Sequence, residues 1–269
     1  MAASDTAFTG SIPELYDAIM VPALMAPYAR DLAARVATIG TGRVLETAAG
    51  TGILTEALAV AAPGLEIIAT DLNRPMVDYA TRKSALRGGT FRSADALNLP
   101  FERGRFDAVI CQFGVMFFPD KVAGFRETHR VLKPGGRFVF NVWESLEHNP
   151  ATAAAIAGLR RRYPDHGSWF MERTPHAYRD PSVIRADLAQ GGFADCRIET
   201  VRLRGHAASA ASLAMGICQG TPMRIELEEL DPDGLQAATD AAANAIAERF
   251  GHDGPYETEL SALVIEARR

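Results

Sequence analysis

The sequence predicts an α/β fold, a mostly parallel sheet with helices on both faces, on three observations. Short runs rich in β-branched or aromatic residues alternate with helical stretches from Gly42 to Trp143. The first run closes on an acid and a small-residue turn, Glu46-Thr47-Ala48-Ala49-Gly50-Thr51-Gly52, and the second on Asp71. Turn residues bound each run, and strands separated by helices pair in parallel.

The predicted strands are Val44 to Thr47, Glu66 to Thr70, Thr90 to Ser93, Phe106 to Phe113 and Arg137 to Trp143. Between the first two, Ile53, Leu54, Ala57, Leu58 and Ala61 recur at helical spacing until Pro63-Gly64. Asn73 can cap the next helix, with Pro75 in its first turn and Gly88-Gly89 as its stop. Asp120 can cap a third, which carries Phe125, Thr128 and Leu132 on one stripe and closes at Lys133-Pro134-Gly135-Gly136. Ahead of this core, Pro13 to Val36 reads as a helix with Leu15, Ile19, Leu24, Tyr28, Leu32 and Val36 on one face, expected beside or over the cofactor edge. Beyond Trp143, Ala151 to Tyr163 and Pro181 to Gln190 read as helices and Arg197 to Leu203 as a strand. A helical block, Ser209 to Phe250, and a final strand, Ser261 to Ala267, complete the chain. The expected partition is an N-terminal helical segment (1–40), a core (41–145), and a completion of the sheet with helical cap insertions (146–269), all in one domain.

With 269 residues, 48% of them apolar and 23% charged, the chain has material for one core and one elaboration. Its net charge of −5 opposes nonspecific attraction to polyphosphate or an anionic membrane, which disfavours nucleic-acid substrates. The only dense basic run, Arg160-Arg161-Arg162, reads as a solvated helix end or as a clamp for a substrate carboxylate. Cys111, Cys196 and Cys218 lack metal-like or redox-pair spacing, and an odd count makes a poor disulfide framework, so a reducing cytoplasm is expected. No signal-peptide pattern opens the sequence and no window approaches a membrane span, so neither export nor integral membrane association is expected.

A small-residue turn between strand and helix is shared by several nucleotide cofactors. Three details separate them. A dinucleotide fingerprint starting at Gly50 would need glycine where Thr55 stands, and one starting at Ala48 lacks its first glycine. Asp95, in Phe91-Arg92-Ser93-Ala94-Asp95-Ala96, follows the third strand, where an acid can accept from an adenine amino group and the Ala96 N–H can meet a ring nitrogen. Finally, Phe106-Asp107-Ala108-Val109-Ile110-Cys111-Gln112-Phe113 precedes Val131-Leu132-Lys133-Pro134-Gly135-Gly136-Arg137-Phe138 by one helix.

In this order the segments resemble the class I S-adenosylmethionine-dependent methyltransferases, in particular the ubiquinone/menaquinone-methyltransferase-like branch that acts on small molecules. The resemblance covers Gly42 to Trp143 and is thin elsewhere. It implies a Rossmann-like seven-stranded sheet with one antiparallel strand, Ser261 to Ala267, inserted beside its predecessor. It also implies S-adenosyl-L-methionine as cofactor, S-adenosyl-L-homocysteine as product, and methyl transfer to an O, N or C atom of a small, partly apolar metabolite. One departure stands out: the family's first loop glycine is Ala48 here. A methyl group still permits close approach if its backbone φ is negative, so retained binding with a slightly shifted cofactor is expected.

The resemblance assigns Glu46, Ala48 and Gly50 to the methionine end of the cofactor and Asp71 to the ribose. Leu72 and Met76 would flank the adenine, Asp95 and Ala96 would meet its edge, and Gln112 and Phe113 would sit near the sulfonium. Leu72 and Met76 taken singly read better as helix-packing residues, and each of the three acids could be a cap or turn residue, although three at successive strand ends favour the cofactor. Acceptor-side candidates are Tyr16, Phe113, Met116, Phe117 and Trp143, with Cys218, Thr221 and Met223 from the helical block; Phe117 reads equally as core. His148 and His176 are the candidate bases, although a lone histidine is more often a surface or satisfied core residue. The segments Glu144 to Pro181 and Ser209 to Phe250 are placed to form a helical lid over an apolar acceptor pocket. Two other readings stay open: a protein that binds the cofactor without transfer, as a sensor or assembly partner, and a nicotinamide oxidoreductase. The oligomeric state does not follow from the sequence.

Overall fold

The structure, a computed structural model, describes residues 3–84, 89–251 and 254–269. In chain order it runs through a one-turn helix (Ile12–Leu15), a π-helical stretch (Tyr16–Met25), α1 (Ala26–Ala37), β1 (Gly42–Thr47), α2 (Ile53–Ala61), β2 (Leu65–Asp71), α3 (Arg74–Ser84), β3 (Gly89–Ser93) and β4 (Phe106–Gln112). It continues with α4 (Lys121–Val131), β5 (Leu132–Trp143), α5 (Pro150–Arg162), α6 (Pro181–Gln190), β6 (Cys196–Ala207), α7 (Ala210–Gln219), α8 (Met223–Leu230), α9 (Leu235–Phe250) and β7 (Tyr256–Arg268). Of the predicted stop for α3 at Gly88-Gly89, Gly88 lies outside the described residues, and Gly89 opens β3.

The seven strands form one sheet in the order β3-β2-β1-β4-β5-β7-β6. β1 pairs in parallel with β2 and β4, β2 with β3, and β4 with β5, while β7 runs antiparallel to β5. The strand order reverses direction between β1 and β4, and such a switch point opens a crevice at the carboxyl ends of the strands.

Contacts divide the chain into two compact units, each assembled from separate stretches of sequence. One comprises Tyr28–Trp143, Tyr178–Val201 and Ala262–Arg269; the other Met1–Pro27, Glu144–Ala177 and Arg202–Ser261. In the first unit, a buried cluster with Leu32, Val36, Val44, Leu54, Ile67 and Val139 joins α1 and α2 to the sheet. Phe138 and Phe140, two residues apart and so on one face of β5, stack at 4.6 Å, with Phe125 of α4 against both and Phe193 against Phe138. Asp120 caps α4 as its sequence position predicts, its carboxylate accepting from Ala123 N.

Two local expectations are corrected. Lys133-Pro134-Gly135-Gly136 is not a turn ahead of the strand but a bulge within β5: Phe106 pairs with Leu132 and Ala108 with Arg137, so the four residues stand opposite Asp107. Lys133 Nζ bonds both Asp107 carboxylate oxygens (2.7 and 2.9 Å), and the C-terminal Arg269 exchanges backbone bonds with Gly135 and Gly136. The predicted helix from Pro13 to Val36 is interrupted by the π stretch around Pro22, whose ring nitrogen has no proton to donate.

In the second unit, Asp5 is buried and accepts from Arg173 Nη2 (2.7 Å) and Thr174 Oγ1 (2.9 Å), while Arg173 Nη1 donates to Glu226 (2.6 Å). The arginine run is likewise paired, Arg160 with Glu172, Arg161 with Glu248 and Arg162 with Asp231, as a helix end rather than a free anion clamp. No helix among the described residues is long and apolar enough to cross a membrane.

Candidate cofactor site

β1 delivers Glu46 to its carboxyl end, where the side chain is buried and accepts a hydrogen bond from Thr55 Oγ1 of α2. Burial pushes the Glu46 carboxyl up to about 8, against the opposing Thr55 bond, and the neighbouring Asp71 adds to the rise. The loop that follows is anchored to β2: Ala49 N donates to Thr70 O (3.0 Å), and Thr70 Oγ1 to Glu46 O (3.0 Å). Asp71 ties the loop at its other end. One carboxylate oxygen accepts from Gly50 N (2.8 Å) and the other from Asn73 N (2.7 Å). Burial raises the Asp71 carboxyl above its ordinary value, and these backbone bonds oppose the rise. Gly52, just ahead of α2, has a φ of +88° that no side chain takes readily and offers the helix no side-chain cap, so N–H groups of the first turn face the loop.

The condition stated for Ala48 is overturned: its φ is +53°. A left-handed alanine costs roughly 1 to 2 kcal/mol, so the loop keeps the glycine-like path at the expense of strain.

At the end of β4, Phe113 is also left-handed, with φ +50°. Its N–H donates to Oδ1 of Asn141 on β5 (2.8 Å). Its ring stacks on Trp143 (3.8 Å, 7° between planes), and Tyr28 meets both edge-on at 5.2 and 5.5 Å. Met116 is buried and Phe117 half-buried in the short turn beyond. Lys121 Nζ donates to Phe118 O (2.8 Å) and reaches Met116 O (3.4 Å), pinning that turn.

Of the remaining predicted residues, Leu72 is 60% exposed beside Asp71, whereas Met76 is buried. Asp95 is exposed and accepts from Leu97 N (2.8 Å), with Ala96 between them. Gln112 is half-buried as the last residue of β4. Tyr16, His148, His176, Cys218, Thr221 and Met223 all belong to the other unit. There Cys218 and Met223 are fully buried, Thr221 donates to Ile217 O (2.6 Å), and Tyr16 meets Phe8 edge-on at 6.1 Å. His176 is buried with Nδ1 on Glu144 O (2.6 Å), and the exposed His148 places Nδ1 3.0 Å from Glu144 Oε1.

A methyltransferase-domain family profile matches residues 45–140, the span that holds the end of β1, all of α2, β2, α3, β3, β4 and α4, and most of β5. The demethylmenaquinone methyltransferase of Thermus thermophilus is 35% identical over 167 residues, 56% of this chain and 74% of that protein. The chain belongs to the class I S-adenosylmethionine-dependent methyltransferases, in their ubiquinone/menaquinone type. A further relative of this methyltransferase, the ubiquinone/menaquinone biosynthesis C-methyltransferase of Syntrophotalea carbinolica, is 32% identical over 59% of this chain and 67% of its own. Among solved structures, Haemonchus contortus phosphoethanolamine N-methyltransferase 2 superposes with a TM-score of 0.63 at 16% identity, over 100% of this chain and 61% of that one, which is a likeness of fold.

The cofactor of this methyltransferase is S-adenosylmethionine, and the residues at the β1 and β2 ends fit it. Asp71 accepts from Gly50 N, Asn73 N and the Asn73 side chain, three donors for a carboxylate with about four acceptor sites, which leaves one lone pair for a further donor. The Thr51 hydroxyl is buried in the loop with no hydrogen-bond partner among the described residues. A Cβ at Gly50 would meet nothing within 4 Å, so the loop is open on that side. Thr51, Asn141 and Tyr28 were not singled out for the site from the sequence. Asn141 alone carried a signal, as a polar residue within the apolar strand Phe138 to Trp143.

Proposed function

We propose that this methyltransferase methylates an O, N or C atom of a small, partly apolar metabolite by in-line displacement. Bound at the β1 and β2 ends, S-adenosylmethionine supplies a methyl group already activated by sulfonium charge. The protein therefore has mainly to hold, align and exclude water. Glu46, Ala48 and Gly50 are assigned to the methionine end and Asp71 to the ribose hydroxyls. Leu72 and Met76 flank the adenine, Asp95 and Ala96 meet its edge, and Gln112 and Phe113 lie toward the transferred methyl.

The observation that carries the apolar acceptor is the Phe113–Trp143 stack at the carboxyl ends of neighbouring strands, buttressed by Tyr28. A flat apolar wall held by a strained backbone favours a ring or other planar group over a fully polar metabolite. Met116 and Phe117, in the turn just beyond Phe113, are assigned to the same acceptor wall. The relatives named as demethylmenaquinone methyltransferases support a ring-bearing acceptor. Of the two histidines, His148 suits proton removal better than His176, because it is exposed and oriented by the Glu144 carboxylate.

Incubation of the protein with methyl-labelled S-adenosylmethionine and fractionated metabolite extracts tests the reading. Label is expected in a small aromatic or otherwise partly apolar product. Tight cofactor binding with no labelled product across the fractions would favour a binding protein instead. Once the product is known, His148→Ala is expected to slow its formation, and an unchanged rate would remove His148 from the chemistry.

A further inference from the structure

Ala48 and Gly114 lie at the carboxyl ends of β1 and β4, neighbouring strands paired through Val44↔Ala108, Leu45↔Val109 and Glu46↔Ile110. A Cβ added to Gly114 would fall 2.4 Å from the Ala48 Cβ and 2.7 Å from Cys111 Sγ. Ordinary contact between such atoms starts about an ångström further out. The Ala48 methyl is attached directly to a backbone held at φ +53°, so no rotamer change can move it aside. Cys111 closes the third side of this contact: it is fully buried, and its thiol is hydrogen-bonded to Thr47 and to the Gly114 and Val115 backbones.

We infer that Gly114 is a positioning residue for the cofactor loop, its missing side chain being the space that the Ala48 methyl fills. The turn after β4 and the loop after β1 interlock through these two residues. A side chain at position 114 pushes Ala48 away from β4, and with it the loop that carries Gly50 N onto Asp71 at 2.8 Å. Gly114 acts through Ala48 and needs no contact with the cofactor. The pairing also explains how a chain with alanine at the first loop position accommodates the methyl. This inference rests on the assignment of the loop to S-adenosylmethionine.

The test is calorimetric titration with S-adenosylhomocysteine, alongside thermal unfolding, of wild type, Gly114→Ala, Ala48→Gly and the double variant. Binding by wild type establishes the cofactor assignment independently of the interlock. Ala48→Gly is the reference arm for the double variant, and Gly114→Ala is expected to weaken binding by about tenfold or more relative to wild type. Adding Ala48→Gly to Gly114→Ala is expected to bring affinity back to within about threefold of that of Ala48→Gly. Cys111 must yield equally in Gly114→Ala and in the double variant, so the difference between them reads the Ala48 contact alone. A double variant as weak as Gly114→Ala, or a Gly114→Ala variant that binds like wild type, overturns the inference. Should Gly114→Ala fail to fold, the comparison is made in a Cys111→Ala background, which removes the thiol contact from every arm. Rescue of folding and affinity by Ala48→Gly there supports the interlock, and no rescue contradicts it.

Discussion

Asp71→Ala is expected to weaken S-adenosylmethionine binding by about 5- to 150-fold, corresponding to about 1 to 3 kcal/mol for a lost charge-assisted acceptor. Two effects add in this variant. The ribose hydroxyls lose their assigned acceptor, and Gly50 N and Asn73 N lose the carboxylate that fixes the loop after β1 and the entry to α3. Asp71→Asn separates them, since the amide keeps one acceptor oxygen and the side-chain shape while losing the charge. It is expected to unfold closer to wild type than Asp71→Ala does, yet still to bind more weakly than wild type. Calorimetric titration with S-adenosylhomocysteine, paired with thermal unfolding, reads both. Unchanged affinity in Asp71→Ala would show that the ribose is held elsewhere.

Glu46→Gln is expected to stabilise the free protein at alkaline pH and to weaken cofactor binding at the same time. The Glu46 carboxyl is raised to about 8 by burial, well above the ordinary carboxylate value of 4.5 that the unfolded chain shows. Folded protein therefore holds the proton more tightly than unfolded protein. The stability Glu46 contributes is full below about pH 4.5 and is lost as pH rises through about 8, by a total on the order of 5 kcal/mol. Glu46→Gln removes that loss: its unfolding temperature should fall less than that of wild type between pH 6 and 9 and exceed it at pH 9. Binding a cationic methionine end works in the opposite sense, because it selects the ionised carboxylate. At pH 7 wild type should release a proton from Glu46 on binding, visible as a heat that changes with the ionisation enthalpy of the buffer. Glu46→Gln lacks that release and is expected to bind about 10- to 150-fold more weakly. Identical buffer dependence in the two proteins would place Glu46 away from the cofactor charge.

The parallel half of the sheet was legible because β1 to β5 are runs of apolar, β-branched or aromatic residues separated by helix-period stretches, and the Asp120 cap was legible from its spacing. The bulge at Lys133 to Gly136 was not. Its residues are ordinary turn formers, and what keeps them in the strand is distant in sequence: Asp107 on β4 and the chain end at Arg269. The π stretch also escaped, since Pro22 signals an interruption but not a widened turn that leaves the chain helical on either side. In the site, acids at successive strand ends were visible as a pattern. The left-handed backbones of Ala48 and Phe113 were not, because neither residue type announces a positive φ. What holds Phe113 there is Asn141 across the β4–β5 pair, and what makes room for Ala48 is Gly114 across the β1–β4 pair. Each partner comes from another strand, so neither can be read from local sequence.

The most direct measurement is a calorimetric titration of the wild-type protein with S-adenosylhomocysteine at pH 7, repeated in two buffers of different ionisation enthalpy. Saturable binding at one site per chain is expected, with a proton released from Glu46. Absence of binding at millimolar ligand would contradict the cofactor site, and binding without proton release would contradict the role given to Glu46.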